Sequence, residues 1–194
     1  MTKRSYRLSL APVVAPFRPE IEHVCACLDR WYGLVRSDLA DRVLHYGPDP
    51  AAGAVHMPNA LFPDGVRIGA DGIHPERTAL RACEISLLPS SGTRREGSRL
   101  AYDAIGLAFL LLSRLEERDQ LRPDRYDRFP YGDALAVRMT GTAPPLADEA
   151  IHDIAAALLE TDRPAPLTTY TVMPTHDVDM LRGYHRWWEP LRHA

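Results

Sequence analysis

The residues with the clearest chemical capacity are Thr175-His176-Asp177-Val178-Asp179. They follow residues 167–173, Leu-Thr-Thr-Tyr-Thr-Val-Met, whose β-branched and aromatic content predicts a strand. If the chain continues extended, Asp177 and Asp179 project from one face, because side chains two apart share a side. Carboxylates that close shift each other's protonation unless a cation or a proton-transfer role accommodates them. A hydrolytic metal site uses such a pair: one carboxylate binds the ion, and the other takes a proton from the activated water. The same residues also fit a solvated turn in which Asp179 caps a following helix, and for a bare Asp-x-Asp that is the more economical reading. His176 falls on the opposite face and is not counted as a ligand.

The elements that must position this cluster can be read from periodicity. Residues 5–10 alternate polar and apolar, the pattern of a half-buried strand. A helix opens at Pro19-Glu20, with Ile21, Val24, Cys25, Leu28, Trp31 and Tyr32 on its apolar side. Residues 39–46 predict a short strand closed by Gly47-Pro48-Asp49-Pro50, and 55–68 one or two more around the Pro63-Asp64-Gly65 turn. A further strand is expected at 86–88, then a polar loop over 90–98. The strongest helical pattern spans 103–120, apolar almost all round at its start and therefore central. Its last turns, through Glu116-Glu117-Arg118-Asp119, are read as solvated. Residues 122–145 read as irregular, 146–160 as a second amphipathic helix, and 161–166 as a proline-stiffened linker.

Composition narrows the classes. The 194 residues carry a net charge of −3 and are 45% hydrophobic, so the basic face that nucleic-acid binding needs is not there. The longest strong apolar stretch, 105–112, is too short to span a bilayer. Arginine supplies all but one of the 23 basic residues, Lys3 being the exception; a GC-rich genome accounts for that bias more simply than function does. Cys25, Cys27 and Cys83 lack metal or redox spacing and read as small buried hydrophobes. With no convincing leader pattern, the expected compartment is the reducing cytoplasm.

Four motifs occur in an order that resembles bacterial polysaccharide deacetylases. They are the segment from Asp103-Ala104-Ile105-Gly106 to Leu115-Glu116-Glu117, then Tyr126-Asp127-Arg128-Phe129-Pro130, then Pro145-Leu146-Ala147-Asp148-Glu149-Ala150, and finally Pro174 to Asp179. In that family the first three belong to a domain preceding the catalytic one, a distorted (β/α) barrel that de-N-acetylates sugars with a divalent metal, most often zinc. The resemblance implies that Asp177 is the general base and Asp179 a metal ligand. This sequence departs from the family pattern in separating the two carboxylates and in holding no His-x-x-x-His, which supplies the remaining metal ligands there.

The sequence therefore predicts an α/β protein: an α+β accessory domain over 1–162, then a linker and the first strand of a truncated (β/α) deacetylase barrel over 163–194. A polysaccharide is the implied substrate, with neither nucleic acid nor membrane as partner. The chain alone is expected to hold no metal and to be inactive, a missing catalytic domain or second chain supplying the rest. The alternative is a self-sufficient accessory module that binds a glycan or a partner protein.

Overall fold

The computed structural model describes residues 4–89, 94–118, 123–142 and 144–167. The fold is α/β, as the sequence predicts. Strand β1 (Ser5–Leu10) leads into helix α1 (Arg18–Tyr32), which Pro19 starts in its first turn and Gly33 ends in the left-handed region at φ 65°. Three short strands follow: β2 (Val35–Arg36), β3 (Val43–Tyr46) and β4 (Val55–Met57). Next come a hairpin of β5 (Val66–Gly69) and β6 (Gly72–Pro75) and helix α2 (Arg77–Leu87). Strands β7 (Arg95–Glu96) and β8 (Arg99–Leu100) precede α3 (Ala104–Leu112), α4 (Leu135–Thr140) and α5 (Leu146–Leu159).

The main sheet runs β2-β1-β3-β4-β8-β7, parallel throughout except for β7, which is antiparallel to β8. Strand alternation decides which face is buried. Tyr6, Leu44, Tyr46, Val55, Met57 and Leu100 enter a core shared with α1, α3 and α5. These three helices pack on one another, and α3 is buried at every residue from Ala104 to Leu110. The opposite row holds Ser9, His45 and His56; the Ser9 hydroxyl lies 3.1 Å from His45 Nδ1. His56 Nε2 lies 3.0 Å from the Gly47 carbonyl oxygen, and this buried ring has its pKa lowered, first by desolvation. The chain passes so close at Gly47 that a Cβ there would meet the Ala11 side chain and the His45 ring.

The C-terminal end of α5 is tied down by arginines. Arg95 Nη1 donates to Ala156 O at 2.8 Å, a carbonyl that also accepts the backbone N–H groups of Glu160 and Thr161, and Arg42 Nη1 donates to Ala157 O at 3.4 Å, so both cations sit at the negative end of the helix. Arg94 bridges Glu149 and Asp153 on the same helix, and Tyr102 donates to Asp153 at 2.6 Å.

Several expectations change. In place of the strand expected at 86–88, Ser86 and Leu87 end α2 and Leu88 follows as its extended C-cap. The long helix expected over 103–120 stops at Leu112: the Ser113 hydroxyl bonds back to Phe109 O at 2.6 Å, and Arg114 turns left-handed at φ 54°. Leu115–Glu117 continues only as a 3-10 turn. The stretch expected to be irregular contains α4, and the loop expected over 90–98 contains β7. Of the cysteines, Cys25 is buried, whereas Cys27 and Cys83 are only half-buried. No helix among the described residues is long and apolar enough to cross a membrane.

Candidate functional site

Asp177 and Asp179, with His176 and all of the strand expected at 167–173 except Leu167, lie outside the described residues; Leu167 itself is exposed and its N–H donates to Trp31 O at 2.7 Å. Among the described residues, no group of three or more His, Cys, Asp or Glu is placed to hold a metal ion. The chemistry that the structure does assemble is elsewhere, in a cleft of about 330 Å³ between α2, α3 and residues 129–138.

The cleft begins with an acid in an apolar stripe. On α2, Leu80, Glu84 and Leu87 are buried together. Glu84 therefore carries a carboxylate into the position where a leucine would complete the helical pattern. A buried carboxylate of this kind is tolerated only when paired and hydrogen-bonded. Arg138 of α4 meets it with two parallel bonds, Nη1 to Oε2 at 2.7 Å and Nη2 to Oε1 at 2.6 Å. That fork-to-fork geometry suits guanidinium and carboxylate. The guanidinium of Arg81 lies further off, 3.8 Å from Glu84 Oε1, and its side chain is half exposed.

A second carboxylate comes from the 3-10 turn after α3. Glu116 Oε2 accepts the backbone N–H of Leu135 at 2.7 Å, fixing the first turn of α4 from outside the helix. Burial pushes the Glu116 carboxyl above its ordinary range, while the Leu135 amide and the nearby Arg138 pull it back. This corrects the expectation of a solvated helix end. Glu117 stays local, accepting from Arg114 Nε at 2.8 Å; Arg118 instead reaches the β5–β6 hairpin, donating to Ile73 O at 2.9 Å and Asp71 Oδ2 at 2.9 Å.

Leu80, Leu110, Phe129 and Pro130 give the cleft its apolar walls, and Arg77 and Asp133 complete the charged lining. Phe129 and Pro130 are presented by a turn in which Asp124 accepts the backbone N–H groups of Tyr126 and Arg128 at 2.8 and 3.0 Å. The guanidinium groups of Arg125 and Arg128 lie over the Tyr126 ring, 4.6 and 4.7 Å from its centre. Two motif segments that lie apart in sequence, ending in Glu117 and in Pro130, thus contribute to one concavity.

Asp103, which opens the first motif, has a different role. It is fully buried and takes four hydrogen bonds: from Gly106 N at 2.7 Å, Ala60 N at 2.7 Å, Leu61 N at 2.9 Å and the Tyr46 hydroxyl at 2.9 Å. It caps α3 and ties it to the sheet and to the loop after β4. Burial raises its pKa, against the pull of those donors. With every approach filled by protein, it positions and does not react.

Sequence reasoning missed Glu84, Arg81 and Arg138 as a group. The available signal was the acid breaking an otherwise apolar i, i+4, i+7 row; its partner, 54 residues away, left no local trace.

Comparison with curated proteins and with solved structures gives no match. A family of unknown function, DUF7033, does match, over residues 37–163, which takes in β3 to α5 and every residue of the cleft. The chain belongs to that family.

Proposed function

We propose that this chain is the N-terminal part of a metal-dependent carbohydrate de-N-acetylase-like protein, in which the DUF7033 region is a non-catalytic accessory domain. The observation that carries the reading is the convergence of the resembling motifs. Asp103 locks α3 to the sheet, Glu116 anchors α4, and Phe129-Pro130 close the cleft over both. The helix that starts after Pro145 packs along α3. These are roles in building and shaping a domain. Catalysis in this reading belongs to Asp177 as base and Asp179 as a ligand of a divalent metal, zinc by resemblance, which would supply Lewis-acid activation of water. Three protein ligands are usual at an open zinc site, so the pair needs histidines from a further segment.

The DNA that follows the Ala194 codon tests this reading. It should encode a His-x-x-x-His segment, in or out of frame, or a neighbouring gene should. A surrounding region with none overturns the reading.

The cleft favours a second, compatible reading: a module that binds a small ligand or glycan in its own right. Its mixed charges and apolar walls equip it for recognition.

A further inference from the structure

We propose that the cleft between α2, α3 and residues 129–138 holds a single neutral, polyhydroxylated ring of pyranose size. The proposal rests on the binding-module reading and gives it a ligand class.

Size is the first constraint. About 330 Å³ lies at the low end of the roughly 300–1,000 Å³ that small-molecule pockets occupy, enough for one ring and not for a dinucleotide. Charge is the second. Three guanidinium groups, Arg77, Arg81 and Arg138, face three carboxylates, Glu84, Glu116 and Asp133. Opposed in equal number, they set up no net field to select a polyanion or a polyamine. Hydrogen-bond chemistry is the third. Guanidinium groups only donate and ionised carboxylates only accept, so a ligand that answers both must offer acceptors and donors side by side, which each hydroxyl of a sugar does in one group.

The walls supply the rest. Phe129, Pro130 and Leu80 offer an apolar surface to the C–H face of a saturated ring. Preorganisation limits the ordering cost: Arg138 and Glu84 hold each other bidentately, and Glu116 is held by the Leu135 amide. Arg81, half exposed at the rim and 3.8 Å from its nearest carboxylate oxygen, keeps donors to offer.

The test is NMR titration of the whole chain with N-acetylglucosamine, glucose, glucosamine and glucuronate, following the methyl groups of Leu80, Leu110 and Leu135. A neutral sugar should shift these methyls to saturation, with the cationic and anionic sugars about tenfold weaker or more. Phe129→Ala and Arg81→Ala, both at the mouth, should each weaken the neutral sugar about fivefold or more while leaving the unfolding transition in place. The proposal is overturned if neither neutral sugar moves the three methyls, if a charged sugar binds more tightly, or if both folded variants bind as well as the parent. The methyl shifts decide the matter even if a variant fails to fold. Such a failure would leave the accessory-domain reading standing, because that one is decided by the DNA and by acetate release.

Discussion

The hydroxyl of Tyr46, at the carboxyl end of β3, donates to Asp103 Oδ2 at 2.9 Å, and both side chains are fully buried. This one contact joins the sheet to the N-terminus of its central helix. The same carboxylate also holds the amides of Ala60 and Leu61, so three parts of the fold depend on one residue.

Removing the acceptor should therefore cost far more than removing one donor. Asp103→Ala strands four donors, three of them buried, and uncaps α3, and is expected to lower stability by about 3 kcal/mol or more. Tyr46→Phe loses a single charge-assisted bond, about 1.5–3 kcal/mol. Urea unfolding of the two variants checks the order, and equal losses would contradict the hub.

The Glu84–Arg138 pair should show strong coupling. Either partner truncated alone leaves an unpaired charge in the cleft, and Glu84 is only 7% exposed. Glu84→Ala and Arg138→Ala should each destabilise by about 2–4 kcal/mol, and the double variant by much less than their sum. A coupling energy near zero in the double-mutant cycle would show that the bidentate pair does not form in solution.

Glu116 predicts a pH dependence of definite sign. Burial raises its pKa in the folded protein above the unfolded value of about 4.5, so the folded state binds the extra proton. Stability from this group is present below that value and is lost as pH rises through the folded pKa. Glu116→Gln keeps an acceptor for the Leu135 amide without the charge. It should match the parent in acid and become the more stable of the two as pH rises towards neutrality. Thermal unfolding across that range measures it; a variant that loses ground with rising pH contradicts the assignment.

At Gly47 the backbone of the β3–β4 connection passes the Ala11 side chain and the His45 ring without room for a methyl. Gly47→Ala should cost about 1–3 kcal/mol, and should disturb the His56 bond to the Gly47 carbonyl. The chemical shifts of His56 report the second effect, and an unperturbed ring with unchanged stability would contradict it.

Where periodicity was undisturbed, the elements were legible in the sequence. Residues 5–10 alternate and form β1; Pro19 and the row Ile21, Val24, Cys25 and Leu28 mark α1; Leu146 to Leu158 marks α5. What escaped was set by partners distant in sequence. Helix α2 hides because Glu84 interrupts its apolar row, and only Arg138 makes sense of it. The break after Leu112 hides because Leu115 continues the apolar stripe while Arg114 turns left-handed, a backbone event that hydropathy does not record. Helix α4 is short and is anchored from outside by Glu116, so it carries little local signal. The cleft is made of those same hidden pieces, which explains why the motif residues were visible and their meeting point was not.

In the proposed function the DUF7033 domain shapes and binds, while de-N-acetylation belongs to Asp177, Asp179 and further metal ligands. The decisive measurement is acetate release from N-acetylglucosamine oligomers by the whole chain with zinc. The prediction is no release above the metal-and-buffer control, and no change in the Asp177→Ala, Asp179→Ala variant. Sustained release by the chain alone, above all release that survives loss of both aspartates, would contradict it.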